Sequence, residues 1–120
     1  MAKYVDGYVI PLPKRNLPAY RRMAKLGARI WRDHGALEYY ECTGEDLKVK
    51  WGMTFPRLLK LKSNETAVFS WIVYKSRAHR DRVNASVMKD PRMNNPAIMK
   101  QMPFDMKRMC MGGFDVLVSW

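Results

Sequence analysis

The sequence has few cysteines, few acidic residues and no long run of apolar side chains. Its 120 residues include two cysteines, Cys42 and Cys110. Because Met1-Ala2-Lys3 leads into a strand-like pattern rather than a signal peptide, the two cysteines favour free thiols in a reducing compartment, and we expect a cytoplasmic protein. No apolar run approaches the ~20 residues that cross a bilayer, so no membrane interaction is expected.

Recognisable catalytic and metal-binding motifs are also missing. The chain has no glycine-rich phosphate loop, no G-x-S-x-G elbow and no H-E-x-x-H pattern. His34 and His79 fall on different predicted helices, and the two cysteines fall on separate predicted strands. These four residues therefore do not show the sequence spacing of a metal-binding site. Each cysteine is expected to be a small buried side chain. We therefore expect no metal and no cofactor, and the sequence leaves open whether the protein is an enzyme.

The residues that are present predict one domain, over residues 1–120, in which strands and helices alternate. Apolar side chains make up 48% of the chain, enough for one modest core. Asn16 and Ser76 are typical helix N-caps, and Gly35 is a typical helix stop. Gly112-Gly113 predicts a bulge. The predicted elements are strands at 4–12, 37–43, 67–74 and 110–118, helices at 17–34 and 77–90, and a basic extended connection at about 47–63.

The order β-α-β-β-α-β is that of the ferredoxin-like α+β fold, whose antiparallel sheet carries two helices on one face. The uncovered face of such a sheet should be polar in a monomer. The third strand instead has bulky apolar side chains on both faces: Val68, Phe69, Trp71, Ile72, Val73 and Tyr74. Because large exposed apolar patches usually mark a partner surface, we expect a homodimer whose two sheets pack face to face.

Several segments together resemble a known family. They are YVDGY at 4–8, FPR at 55–57, LKLKSNETAVFSW at 59–71, Arg80-Asp81, DPRM at 90–93, MPFDMKRM at 102–109 and GGF at 112–114. The chain is similar to an uncharacterised bacterial family, a domain of unknown function sometimes labelled "RNA signal recognition particle", within the dimeric α/β-barrel, ferredoxin-like superfamily. The resemblance spans nearly the whole chain, and it implies a fold and a dimer but no activity.

The resemblance also implies where a ligand would bind. The wider superfamily includes cofactor-free monooxygenases, haem-degrading enzymes, lactone isomerases and small-molecule-binding domains, and their pocket lies between the sheet and the helices. Here we expect Trp31, His34, Trp71 and Met88 to line that region. Each residue also has a structural interpretation, because Trp and Met commonly fill cores. His34, a weak candidate for a catalytic base, could instead cap the end of the first helix.

The loop Met102–Arg108 offers a second set of candidates. Asp105, Lys107 and Arg108 bring a carboxylate, an ammonium and a guanidinium together ahead of the glycine pair. Lys107 and Arg108 would bind a ligand, Arg108 by clamping a carboxylate, and Asp105 would orient the ligand or act as a weak base candidate. The alternative is that Asp105 pairs with Arg108 or Arg92 and pins the loop, with the segment Asp90–Arg92 docking on it.

The net charge of +11 requires its own interpretation. One face of the first predicted helix carries a basic stripe, formed by Arg21, Lys25, Arg29 and Arg32. Such a surface attracts phosphate backbones without reading sequence, although it is also typical of a solvated helix face. The leading hypothesis is a homodimeric small-molecule-binding protein or cofactor-free enzyme. The alternatives are a non-specific RNA- or DNA-associated protein and a purely structural or interaction dimer.

Overall fold

The computed structural model describes residues 3–120, with Met99 described by its backbone only, and is built around one four-stranded sheet. In chain order the strands are β1 (Tyr4–Pro13), β2 (Glu38–Thr43), β3 (Glu65–Tyr74) and β4 (Cys110–Asp115). Across the sheet the order is β2-β3-β1-β4, and every neighbouring pair is antiparallel. The ferredoxin-like α+β fold expected from the order of elements is confirmed.

The two predicted helices begin and end close to the predicted positions, as α1 (Leu17–Asp33) and α3 (Arg77–Lys89). The structure adds two short helices, α2 (Phe55–Leu59) and α4 (Pro96–Lys100), and 3-10 turns at Lys14–Asn16 and Met106–Arg108. Gly35 follows α1 with a φ of +103°, a conformation that glycine adopts without strain. The Ser76 hydroxyl accepts a hydrogen bond from the backbone N–H of His79 at 3.1 Å, which confirms the N-cap of α3.

Asn16 does not cap α1 with its side chain. It occupies the N-cap position, but its amide group donates to the carbonyl of Pro103 at 2.7 Å. The predicted side-chain cap is therefore wrong. The residue instead ties the beginning of α1 to the segment that precedes β4.

The core lies between α1, α3 and the inner face of the sheet. Alternation along β1 directs Tyr4, Asp6, Tyr8, Ile10 and Leu12 to this inner face. On α1 the buried residues are Tyr20, Ala24, Ile30 and Trp31, which lie on the side that faces the sheet. The core residues form two clusters, one around Trp31 and Tyr74 and one around Tyr20 and Leu12. Residues of β1 belong to both, so the strand joins the two halves of the core.

The opposite face of the sheet, here called the open face, is apolar and aromatic. Strand alternation places Val5, Val9, Tyr40, Phe69, Trp71, Val73 and Phe114 on it. Tyr40 stacks on Trp71 with ring centres 4.8 Å apart, and Phe69 lies 5.5 Å from Trp71. Phe69 remains 48% exposed and Phe114 61% exposed. The prediction that β3 carries bulky apolar groups on both faces is confirmed.

The glycine pair of β4 does not form the predicted bulge. The pairing of β4 with β1 runs without interruption from Tyr4↔Asp115 to Val9↔Cys110. Gly113 is required for close approach instead, because a Cβ at that position would overlap the ring of Tyr4. β4 also ends earlier than predicted, at Asp115, because the strand beside it begins at Tyr4. Leu117 and Val118, which were expected in the strand, are exposed.

The connection at about 47–63 is not extended throughout. It contains α2, whose first turn is capped by the Thr54 hydroxyl and which ends at Lys60 in the left-handed conformation. Phe55 packs against Phe69 with ring centres 6.5 Å apart, so α2 covers part of the open face. The expectation of an extended arm failed because Thr54 and Pro56 together favour a short helix.

Candidate functional site

A cavity of about 330 Å³ lies between the inner face of the sheet and the helices. Side chains of all four strands form one side of it, and α1, α3 and the segment from α3 to β4 form the other. Most of its lining is apolar, and a small number of polar side chains contribute to it. This combination is typical of small-molecule sites in proteins.

Methionine dominates the lining of this cavity. Among the described residues seven methionines contribute to it: Met23, Met88, Met93, Met102, Met106, Met109 and Met111. Three of them are also solvent-exposed, namely Met88, Met106 and Met111, so the cavity opens on their side. Methionine side chains are unbranched and polarizable, and they adjust to ligands of different shape.

Part of the polar lining is a cluster of three tyrosines and one glutamate, here called the Glu41 cluster: Tyr8, Tyr20, Tyr39 and Glu41. Tyr20 donates from α1 to Oε1 of Glu41 at 2.7 Å, and Tyr39 donates to Oε2 at 2.7 Å. Tyr39 and Glu41 share the inner face because they are two residues apart on β2. Among residues 3–120, no basic side chain lies within salt-bridge distance of Glu41.

The tyrosines of the Glu41 cluster are neutral at physiological pH. Burial, followed by the charge of Glu41, raises the pKa of both Tyr20 and Tyr39 far above the ordinary value. Burial, followed by the charges of Asp6 and Glu41, raises the pKa of Tyr8 to about 12. All three hydroxyls therefore keep their protons, and two of them donate to the carboxylate of Glu41.

A buried polar network fixes one side of the cavity. Asp6, which is 1% exposed, accepts from Arg80 at 2.7 Å and from Asn84 at 3.4 Å. The side-chain oxygen of Asn84 accepts from the indole N–H of Trp31 at 3.1 Å and from the Tyr74 hydroxyl at 3.2 Å. The network joins β1, β3, α1 and α3, and it holds Trp31 in the cavity lining.

Two of the four residues expected in this cavity line it. Trp31 and Met88 contribute to its lining as predicted. The expected position of Trp71 is wrong, because the register of β3 pairs this residue with Gly7 and Tyr40 on the open face. The spacing of apolar residues along a helix shows which face turns toward the core. In a strand that is apolar on both sides, the sequence does not show which side does so.

The fourth residue, His34, lies at the end of α1 outside the cavity lining. Its Nε2 is 2.8 Å from Oδ2 of Asp90. Arg92 donates to both oxygens of Asp90, at 3.0 and 2.7 Å, and to Asp33 at 2.9 Å. Hydrogen bonds from Arg92 and then from His34 hold the pKa of Asp90 well below its usual range. The segment Asp90–Arg92 therefore docks on the end of α1, not on the loop Met102–Arg108, and a role of His34 as a base stays a prediction.

Arg108 is engaged by protein groups. It donates to both oxygens of Glu65, at 2.7 and 3.1 Å, and to the carbonyls of Leu59 and Lys60 at 3.3 and 3.2 Å. Glu65 is only 9% exposed. The arginine thus pins the end of α2 to β3, and the carboxylate that it clamps belongs to the protein itself.

Asp105 has a local role. Its side chain accepts from the backbone N–H of Lys107 at 2.9 Å and caps a 3-10 turn. Among the described residues it pairs with neither Arg92 nor Arg108, so the expected pinning contact of Asp105 is wrong. Lys107 is exposed, and neither it nor Arg108 lines the cavity. Ligand binding by these two residues stays a prediction that their positions do not favour.

The basic stripe of α1 is solvent-exposed along its length, as predicted for Arg21, Lys25, Arg29 and Arg32. Arg21 and Lys25 also border a second groove of about 310 Å³, which lies on the outer side of Glu41 and Tyr20. Nucleic-acid binding by the stripe stays a prediction.

The two cysteines are free, as expected, but the expectation that they are buried is wrong. Cys42 and Cys110 are both exposed on the open face. They lie on β2 and β4, the opposite edges of the sheet. Two intervening strands separate them by far more than a disulfide can span.

Two further findings concern the described part of the chain. Within residues 3–120, no group of three or more His, Cys, Asp or Glu side chains is arranged to hold a metal ion. Over the same residues, no helix has the length and apolar character needed to cross a membrane.

Sequence reasoning missed the Glu41 cluster. The available signal was the alternation of Tyr39, Tyr40 and Glu41, which places the first and third on one face of a strand. The bond between Tyr20 and Glu41 could not be deduced from the sequence, because it depends on the packing of α1 on β2.

Comparison with known proteins gives a family match and close relatives. A family model described as protein of unknown function (DUF1428) matches residues 3–106. The chain is 41% identical over 117 residues to the uncharacterized protein YbaA of Escherichia coli K12, and the match covers 98% of each chain. The protein of the same name from Shigella flexneri gives the same values.

Two solved structures show the same fold at low sequence identity. A dimeric ferredoxin-like protein from an uncultured marine organism aligns over 100% of both chains with a TM-score of 0.63 and 11% identity. A nipsnap family protein with unknown function from Agrobacterium tumefaciens aligns over 96% of this chain and 88% of that one, with a TM-score of 0.63 and 14% identity. Both likenesses show the fold of this chain.

Proposed function

Because the chain belongs to the DUF1428 family of proteins of unknown function, we propose from its geometry that it is a homodimeric protein that binds a small organic molecule in the cavity between sheet and helices. The observation that carries this proposal is the methionine-rich lining of the cavity of about 330 Å³, with the Glu41 cluster among its polar groups. No catalytic step is assigned, because His34 and Asp105, the candidate bases, lie outside the lining.

The apolar lining of the cavity favours the binding of an apolar ligand. Apolar ligand surface that leaves water contributes about 25 cal/mol per Å². A cavity lined by flexible thioethers can close around a range of shapes without opening voids. The polar groups of the lining would orient the ligand rather than supply most of the binding free energy.

The dimer is supported by the open face. Its exposed aromatic side chains, Phe69 and Phe114 among them, form the kind of patch that usually marks a protein partner. The marine ferredoxin-like neighbour is described as dimeric. In a dimer formed through this face Cys42 and Cys110 would be covered, and their free thiols fit a reducing, cytoplasmic location.

The test is NMR spectroscopy of protein labelled with ¹³C at the methionine methyl groups. A library of small apolar and amphipathic molecules is screened for shifts of the cavity methionines, with Met53 as internal control. Met53 is 62% exposed on the connection and lies outside the lining. We expect compounds that shift the cavity methionines and leave Met53 unchanged.

A matched pair of variants completes this test. Met88→Trp places a larger side chain at the exposed edge of the cavity, whereas Met53→Trp makes the same change away from it. We expect the first variant to lose at least about tenfold in affinity for any compound found and the second to keep it. If no compound in the library shifts the cavity methionines, the binding function is refuted and a structural or interaction dimer is favoured.

A second candidate, non-specific association with RNA or DNA, is supported by the exposed basic stripe of α1. Four cations on one helix face and the net charge of +11 would contact phosphates without reading bases. Nucleic-acid binding ranks below small-molecule binding in the cavity, because basic residues on a solvated helix face are stable without a ligand.

A further inference from the structure

We infer that the ligand of the cavity carries a positively charged amino group that pairs with Glu41, on an apolar body that packs against the methionines. The inference rests on the proposed function and adds the chemical class of the ligand. Three observations support this inference. The carboxylate of Glu41 has no salt-bridge partner among the described residues, the cluster has unused hydrogen-bonding positions, and the rest of the lining is apolar.

The Glu41 cluster carries one negative charge that no salt bridge neutralises in the described part of the chain. Its tyrosines are neutral hydroxyls, and two of them donate to the carboxylate at 2.7 Å. These hydrogen bonds stabilise the carboxylate without neutralising it. Within residues 3–120, no Lys, Arg or His forms a salt bridge with Glu41. A partly buried carboxylate without a cation is costly, so an incoming cation is favoured over a neutral or anionic group.

The cations near the cavity are bound elsewhere. Arg92 contributes to the lining, but its guanidinium is held by Asp90 and Asp33 at distances of 2.7 to 3.0 Å. Arg80 is bound to Asp6 and to the exposed Asp81. Arg21 and Lys25 line the second groove together with Glu41, but neither forms a salt bridge with it, and both are solvent-exposed. The lining therefore offers an anion to a ligand and no uncommitted cation among the described residues.

The hydrogen-bonding capacity of the cluster matches an ammonium group. A carboxylate has about four acceptor positions, and the two tyrosines use two of them. The hydroxyl of Tyr8 lines the same cavity and makes no hydrogen bond within the described part of the chain. A primary ammonium has three donors, so it can bond to the free positions of Glu41 and to the oxygen of Tyr8.

The experiment compares three compounds that share one apolar chain: octylamine, octanol and octanoate. Each is titrated into the methionine-labelled protein at pH 7, and the dissociation constant is read from the shifts of the cavity methionines. We expect octylamine to bind about tenfold more tightly than octanol, because an ammonium group forms a charge-assisted hydrogen bond with Glu41 that is stronger than the hydrogen bond of a hydroxyl group. Octanoate should bind most weakly, because its charge repels Glu41.

A matched pair of variants assigns the preference to Glu41. Glu41→Gln keeps the size of the side chain and removes its charge. Glu38→Gln makes the same change in net charge on the same strand, but Glu38 is exposed on the open face. We expect Glu41→Gln to abolish the preference of octylamine over octanol and Glu38→Gln to retain it.

The outcomes separate this inference from the proposed function. Equal binding of the three compounds in the cavity, or a preference for octanoate, would overturn the ammonium class while leaving small-molecule binding intact. A preference for octylamine that survives in Glu41→Gln would overturn the role of Glu41. If none of the compounds and no member of the wider library shifts the cavity methionines, both proposals fail. The comparison on the unmodified protein decides the ligand class even if Glu41→Gln does not fold.

Discussion

At Gly113 the backbone of β4 passes close to an aromatic ring. β4 pairs here with β1 in an unbroken register. Gly113 is needed because the ring of Tyr4 occupies the space where a Cβ would lie. Tyr4 is itself fixed by Arg80, whose guanidinium lies 4.9 Å above the ring centre.

Gly113→Ala should destabilise the protein by about 1–3 kcal/mol, because the added methyl group overlaps Tyr4 and forces the strand or the ring to shift. Gly112→Ala is the matched control, since a Cβ there would meet only the ring of Phe114 at an ordinary 3.8 Å. Urea denaturation measures both. The molecular mass of the control is checked by light scattering, because Gly112 faces the proposed dimer partner. Equal stability of the two variants would contradict this role of Gly113.

Asp90→Asn should change how stability depends on pH. Arg92 and then His34 hold the pKa of Asp90 well below its usual range. A carboxyl group with a lowered folded-state pKa stabilises the fold above its unfolded pKa of about 3.9 and loses this contribution as pH falls toward the folded value. The variant lacks that contribution, so the difference in unfolding free energy between the two proteins should shrink between pH 5 and pH 2.5. Urea denaturation across this range measures it, and a constant difference would refute the linkage.

Some residues of the candidate site could be predicted from the sequence and others could not, for physical reasons. Trp31 was placed correctly because the helical period assigns it to the buried face of α1. Trp71 was misplaced because both faces of β3 are apolar, and only the register with β1 and β2 distinguishes them. Glu41 was missed because its significance depends on Tyr20, which is brought to it by the packing of α1 on β2.

The secondary-structure elements were predicted well where local chemistry decides them. Ser76 and Gly35 mark helix ends by hydrogen bonding and by conformational freedom, and both positions are confirmed. β4 was predicted too long because the length of an edge strand depends on where its neighbour begins, which is a property of the sheet. The connection at about 47–63 was misjudged because its basic composition obscured the helix signal at Thr54–Pro56.

The basic stripe of α1 provides a prediction about that helix. Affinity for RNA falls as salt rises, so the plot of log affinity against log salt has a negative slope. Replacement of Arg21, Lys25, Arg29 and Arg32 by Gln should reduce the magnitude of this slope by roughly 0.7–0.9 for each phosphate that the protein no longer neutralises. Folding should be retained, because the four side chains are exposed. The measurement is a titration of labelled single- and double-stranded RNA across a salt series.

The control for the stripe is the change of Lys48, Lys50, Lys60 and Lys62 to Gln, which removes the same charge from the connection between β2 and β3. If both sets of changes reduce the magnitude of the salt slope equally, RNA binding is not specific to α1. If the unmodified protein binds no RNA at low salt, the nucleic-acid candidate is eliminated.

The whole molecule is predicted to be a dimer through the open face. Light scattering at micromolar concentration should give twice the chain mass of 14.1 kDa. Phe69→Asp places a charge among the aromatic residues of this face and should yield monomers or unfold the protein, because a buried charge without a partner is costly. Met53→Asp, on an exposed residue of the connection, should remain dimeric. A clean monomer of the unmodified protein would refute the face-to-face arrangement.

A crystal structure of the protein equilibrated with octylamine would test the proposed ligand site. We expect elongated density among the cavity methionines, with the amino nitrogen within hydrogen-bonding distance of a Glu41 oxygen and of the Tyr8 hydroxyl. We also expect the two open faces to be in contact across a two-fold axis. A cavity filled by its own methionine side chains, with the amine absent or bound on another surface, would refute this site.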